Sequence, residues 1–128
     1  GERKKLNFGH TIGHAIEGLV LEREEKTLLH GEAVALGMIC ESWISVKRCG
    51  LKAEEHEEIV RNISQYFSLQ SLNPVDDHRL IELMRHDKKN VKGEIRMVLL
   101  KEIGTCDIGK VVSPDLIIAS LNYYRSLS

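Results

Sequence analysis

The sequence predicts a mainly α-helical, multihelical domain with one small β-hairpin. Three observations carry this. Apolar residues recur at three- and four-residue steps along most of the chain, the repeat of a one-sided helix. That repeat gives way to strand-like runs only between Glu94 and Val112. Ser113-Pro114-Asp115 then signals a last helix: a capping serine, proline at the first helical position and an acid in the first turn. The 128 residues make one ordinary domain. At that size a chain buries roughly two-thirds of its extended surface, enough for a core without disulfides or a structural metal.

The first helix is predicted from Leu6 to about Glu25, with Phe8, Ile12, Ile16, Leu19 and Val20 on its apolar face. The charged run from Glu22 to Thr27 reads as a solvated helix end and loop. A second helix runs from about Gly31 to Arg48, carries small residues at Ala33, Ala35 and Gly37, and stops at Cys49-Gly50. A third spans Ala53 to Phe67, with Ile59, Val60, Ile63 and Phe67 turned inward. Asn73-Pro74 is a break, because a residue before proline avoids the helical region. Asp76 or Asp77 caps a fourth helix through Leu80, Ile81, Leu83 and Met84. Glu94 to Leu100 and Thr105 to Val112 form the hairpin around Ile103-Gly104, and because an isolated ribbon is marginal it must pack on helices. The last helix ends near Arg125.

Lysine plus arginine number 18 and aspartate plus glutamate 19, a formal net charge of -1. That balance argues against nucleic acid or an anionic membrane covering the whole domain, while leaving room for a local basic pocket. No run approaches the roughly 18 apolar residues of a membrane helix. Gly1-Glu2-Arg3-Lys4-Lys5 has no apolar signal-peptide core behind it. Cys40, Cys49 and Cys106 are odd in number and form no CxxC pair, so they read as reduced thiols of a cytoplasmic protein. The chain opens abruptly and without methionine, and the expectation is that it is a piece of something longer.

Arg3, Asn7, His10 and His14 are spaced by four, three and four residues. On a continuous helix they fall within roughly 60° of one another. Such a stripe offers one cation, one amide and two imidazoles to a common point; the plainer reading is a solvent-facing polar face. Arg3 and Asn7 are suited to gripping a carboxylate or phosphate. Gly9 and Gly13, inside the predicted helix, each cost about 1 kcal/mol relative to alanine, and glycine there points to a close approach by another helix or a ligand. His10 and His14 can chelate one metal ion, although a bare HxxxH is weak evidence and the HExxH signature is absent. His30, at the predicted start of the second helix, adds a third imidazole. Glu17, one turn past His14, and Glu32, close to His30, read equally well as helix-surface acids.

At this point the residues resemble a known family. Leu6-Asn7-Phe8-Gly9-His10-Thr11-Ile12-Gly13-His14-Ala15-Ile16-Glu17, followed by the run His30 to Met38 (HGEAVALGM), is similar to the C-terminal helical domain of 3-dehydroquinate synthase. Asp87-Lys88-Lys89, Gly93, Met97-Val98-Leu99-Leu100 and Ile103-Gly104 match that family's distal segment in order and approximate distance. The resemblance implies that residues 1–128 are a C-terminal metal- and substrate-binding domain, with the N-terminal NAD-binding domain absent from this chain. It implies conversion of 3-deoxy-arabino-heptulosonate 7-phosphate to 3-dehydroquinate plus phosphate, in the shikimate pathway of aromatic amino acid biosynthesis. The cofactors it implies are a divalent metal, zinc or another such as cobalt, and NAD held mainly by the absent domain.

Carried over position by position, the resemblance assigns His10 and His30 as metal ligands. The third ligand is a glutamate of the other domain, so neither Glu17 nor Glu32 is one. His14 matches a catalytic histidine on the substrate's phosphate side. Arg3 and Asn7 match substrate-binding residues, and one of Lys88 and Lys89, the second favoured, matches a lysine for a substrate anion. A solvated charge run is the plain alternative for that pair. The stretch between His14 and His30 is longer than the family's spacing, through the charged insert Glu22 to Lys26; a surface insertion is tolerated cheaply. The implied partners are a sugar phosphate and the chain's own N-terminal domain, with no nucleic acid or membrane, and with a homodimer as a candidate assembly of the full-length enzyme. The chain alone is expected to be inactive. Two competing readings are a sister sugar-phosphate cyclase of the 2-deoxy-scyllo-inosose synthase kind, and a non-catalytic helical module whose histidines are structural.

Overall fold

The computed structural model describes residues 8–22, 30–87 and 93–127, without the side chains of residues 106–108. In chain order the described elements are α1 (His10–Glu22), α2 (His30–Cys49), α3 (Ala53–Tyr66), a single 3-10 turn (Pro74–Asp76), α4 (Asp77–Arg85), β1 (Arg96–Glu102), β2 (Thr105–Val111) and α5 (Pro114–Ser126). The predicted class, mainly α with one hairpin, is the one observed. Among the described residues no helix is long and apolar enough to cross a membrane.

The 20-residue α2 is the central post. It packs against α1, α3, α5 and β1, and is therefore buried on more than one side, as a helix surrounded by others must be. Ile12 and Ile16 from α1, Leu36, Ile39 and Ile44 from α2, Leu80 and Met84 from α4, Leu99 from β1 and Leu121 and Tyr124 from α5 form one core. The ends of α4 and α5 are stitched together by an Asp77–Arg125 ion pair, and Arg125 Nε also donates to the Leu72 carbonyl at 2.9 Å.

The crossing of α1 and α2 is a backbone contact. A Cβ added at Gly37 would lie 2.0 Å from the Gly9 carbonyl oxygen and 2.7 Å from the Gly13 nitrogen. One at Gly13 would meet the Ala33 carbonyl oxygen at 3.1 Å. Only glycine allows that approach, which offsets the helix propensity lost at Gly13 and Gly37. Gly9 itself corrects the predicted boundary. Its φ is +85°, a left-handed conformation that glycine alone adopts cheaply, so α1 begins at His10 and not at Leu6. The Gly9 carbonyl accepts the Gly13 N–H at 3.0 Å and opens the helix.

Two other expectations change. The inward face of α3 is shallower than predicted: Ile59, Val60 and Ile63 are half-buried and Phe67 is 37% exposed, leaving His56 as the buried residue of this helix. The reason is that α3 packs chiefly on α2 and is open elsewhere. Asp76 occupies the cap position of α4 without a side-chain capping bond, and Asp77 is engaged with Arg125.

The first strand is shifted two residues along the chain, Arg96–Glu102 against the predicted Glu94 to Leu100, with Glu102 pairing directly with Thr105 across the Ile103-Gly104 turn. The hairpin has the helical support a ribbon needs. The Leu100 N–H donates to Ser45 Oγ at 2.8 Å, and Arg48 donates to the Val111 carbonyl at 2.8 Å, both from α2. Ser113 caps α5 as predicted, accepting the Leu116 N–H at 3.2 Å.

Candidate functional site

Three imidazoles meet where α1 and α2 begin. His10 is the first residue of α1, His14 follows one turn later, and His30 is the first residue of α2. Their ring centroids are 5.0 Å apart for His10 and His14, 6.2 Å for His10 and His30, and 6.3 Å for His14 and His30. His14 and His30 are exposed and His10 is half-buried. The glycine contact between the two helices is what brings residues 16 or 20 positions apart to one point.

Two of the three rings are fixed through the same nitrogen. His10 Nδ1 lies 3.2 Å from the Phe8 carbonyl oxygen. His30 Nδ1 lies 2.8 Å from Glu17 Oε1. A carbonyl and a carboxylate only accept, so in both rings Nδ1 carries the hydrogen. A neutral ring then keeps its lone pair on Nε2, the form that binds zinc or cobalt. Among the described residues no group of three His, Cys, Asp or Glu is arranged to hold a metal ion.

A buried carboxylate sets the entry to α1. Glu41 of α2 is fully buried and accepts the Gly9 N–H at 3.0 Å and the Ile12 N–H at 2.9 Å. It satisfies two of the donors that a helix start leaves without partners. The sequence reading missed Glu41, though it falls four residues after Gly37 on the face that meets α1. It also left Glu17 as a surface acid, although Glu17 sits seven residues after His10 and three after His14, on the same stripe. Glu32 accepts from Gln70 Nε2 at 2.9 Å.

Arg3, Asn7, Lys88 and Lys89 lie outside the described residues. The reason offered for grouping Arg3 and Asn7 with the histidines, one unbroken helix, does not hold, because Gly9 interrupts it.

A second polar cluster lies between α2, α3 and α5. His56 is buried, with Nδ1 2.7 Å from Ser42 Oγ and Nε2 2.8 Å from the Tyr123 hydroxyl. Ser42 spends its own hydrogen on the Ile39 carbonyl at 2.9 Å, so it accepts from His56 Nδ1–H and leaves Nε2 to accept from Tyr123. Burial lowers the His56 pKa below its ordinary 6.5, opposed by the charge of Glu57. The Tyr123 ring stacks on Trp43 at 5.6 Å, with the Lys47 ammonium 5.1 Å above the Trp43 ring. Burial also pushes the Cys40 thiol far above its usual range, which makes it an inert core residue.

Comparison with known proteins bears on the histidine cluster. The family profile described as "3-dehydroquinate synthase C-terminal" matches residues 1–90. The 3-dehydroquinate synthase of Parabacteroides distasonis is 43% identical over 125 residues, covering 98% of this chain and 35% of that protein. That of Geobacillus thermodenitrificans is 39% identical over 115 residues, covering 90% of this chain and 31% of that protein. The chain thus spans about a third of the length of the curated relatives it matches. Among solved structures, 2-epi-5-epi-valiolone synthase from Streptomyces hygroscopicus subsp. jinggangensis 5008, with NAD+ and Zn2+ bound, superposes with a TM-score of 0.75 at 26% identity, covering 95% of this chain and 33% of that one. A 2-deoxy-scyllo-inosose synthase complexed with carbaglucose-6-phosphate, NAD+ and Co2+ superposes with a TM-score of 0.68 at 27% identity, covering 91% and 34%. With the profile match and the identity to its relatives, the chain belongs to the 3-dehydroquinate synthase family, and corresponds to the C-terminal part of its members.

Proposed function

We propose that this chain is the metal- and substrate-binding part of a two-domain enzyme that converts 3-deoxy-arabino-heptulosonate 7-phosphate to 3-dehydroquinate and phosphate. The observation that carries the reading is the convergence of His10, His14 and His30 at the α1–α2 crossing, with Nδ1 of His10 and His30 already engaged. His10 and His30 would hold a divalent metal, zinc or cobalt, through Nε2, and a carboxylate of the preceding NAD-binding domain would complete the set. A bound metal would supply polarisation of the hydroxyl and carbonyl being interconverted, and NAD would supply the hydride exchange.

This chain's own residues then bind and orient. His14, exposed beside His10, meets the phosphate side of the substrate, where an imidazole can give or take a proton near neutral pH. Arg3, Asn7 and Lys89 or Lys88 grip the substrate's carboxylate and phosphate through charge-assisted hydrogen bonds. Glu41 and the glycine contact hold His10 against His30. The NAD site and the third ligand are assigned to the preceding domain, so residues 1–128 by themselves are expected to turn over no substrate. The reduced, buried Cys40 fits a cytoplasmic enzyme.

The neighbours that carry NAD+ with Zn2+ or Co2+ support the cofactor assignment. They also motivate a second reading, a sister cyclase acting on a different sugar phosphate. The relatives at 43% and 39% identity favour the heptulosonate. The test is phosphate release by the full-length protein, with zinc and NAD, from the heptulosonate phosphate. Release with formation of 3-dehydroquinate supports the reading; release only from a hexose phosphate moves it to the sister class.

A further inference from the structure

We propose that Glu17 is a positioning residue that presents His30 to the metal. The inference rests on the reading of His30 as a ligand and goes beyond it, to what makes His30 a ligand. Glu17 Oε1 stands 2.8 Å from His30 Nδ1. By accepting that N–H, the carboxylate selects the tautomer whose lone pair is on Nε2 and orients the ring. Without it the exposed ring is free to rotate and to place its hydrogen on Nε2, the form that cannot bind a metal there.

Three features separate this from an ordinary surface ion pair. The carboxylate stands on α1, on the His10–His14 stripe, so the element that carries one ligand also aims the other. That element is held to α2 by backbone contact at Gly13 and Gly37, which keeps the two partners in place across the crossing. His10 is held by the same nitrogen, through the Phe8 carbonyl at 3.2 Å, so in both rings Nε2 is the nitrogen left with the lone pair. An exposed ion pair by itself contributes little to stability, so its effect is expected at the metal rather than in the fold.

The test uses the full-length enzyme with selectively 15N-labelled histidine. In the metal-free protein the His30 ring nitrogens report the tautomer directly, and zinc affinity is read by competition with a chelator. Glu17→Ala is expected to shift His30 toward the Nε2–H form and to weaken zinc binding about 10–100-fold, with unchanged thermal stability. Glu17→Gln, whose amide oxygen still accepts the Nδ1–H, is expected to keep the tautomer and recover part of the affinity. An unchanged His30 tautomer in Glu17→Ala overturns the proposal, whatever the affinity does. His30→Ala is the separate control: if it binds zinc as well as the parent, the ligand reading itself fails and this proposal with it. If it loses zinc while Glu17→Ala does not, only the role of Glu17 falls.

Discussion

His30 stands at the N-terminal end of α2, exposed, with Nδ1 bonded and Nε2 making no hydrogen bond among the described residues. Ser42 lies 12 residues along the same helix, about 18 Å further on. There it meets His56, which is buried with both ring nitrogens bonded. The two histidines are the same residue in opposite conditions. His56 has no lone pair or proton to spare, and its burial favours the neutral ring. Its hydrogen bonds tie α2, α3 and α5 together. Among the described residues, His30 and His10 each engage only Nδ1 in a hydrogen bond. A histidine's role is read from how many of its nitrogens the fold consumes.

The largest effect should come from crossing the two regions by mutation. In the full-length enzyme, His10→Ala is expected to lower metal-dependent turnover by more than about 100-fold, since losing a ligand should exceed the 10–100-fold cost of losing a partner behind one. Its thermal midpoint should barely move, because the ring contributes no core packing. His56→Gln is expected to do the reverse: normal turnover per folded molecule, with a stability loss of about 2 kcal/mol as Ser42 and Tyr123 lose partners. Denaturant melts and steady-state rates on both variants give the comparison, and a parallel loss of activity in both would break it.

A second test concerns the scaffold of the site. Gly37→Ala would drive a methyl into the Gly9 carbonyl, 2.0 Å away. The expected cost is about 3 kcal/mol, together with weaker metal binding as α1 moves off α2. A variant with native stability and native affinity would mean that the crossing does not set the histidine geometry.

The smallest effect is a pH dependence belonging to His56 alone. Its folded pKa is below the ordinary 6.5, so on acidification the unfolded chain takes up the proton first. The contribution is present above about pH 6.5 and declines as pH falls through that value, levelling off once the folded ring also protonates. The slope is at most about 1.4 kcal/mol per pH unit. Subtracting the His56→Gln stability profile from the parent's should isolate it. A difference that is flat from pH 7 to 5 would place the titration elsewhere.

Much of the fold was legible because its signals are local. The three- and four-residue repeat marks α1 through α5, and Ser113-Pro114-Asp115 marks the start of α5 within one turn. The misplaced start of α1 was not local. Gly9 takes its left-handed conformation against Met38 and Val34 of α2, contacts that no window around Leu6 contains. The roles of Glu41 and His56 were invisible for the same reason, since their partners lie 32 and 67 positions away for Gly9 and Tyr123. The site was half legible: HxxxH followed by His30 marks three imidazoles, but assigning the metal to His10 and His30 rather than to His14 rests on the family resemblance. Arg3, Asn7, Lys88 and Lys89 stand on the resemblance alone.

The proposed division of labour among the three histidines is tested by zinc retention in full-length His10→Ala and His14→Ala. His10→Ala is expected to lose zinc, while His14→Ala is expected to keep it and to handle substrate poorly. Equal loss of zinc from both proteins would contradict it.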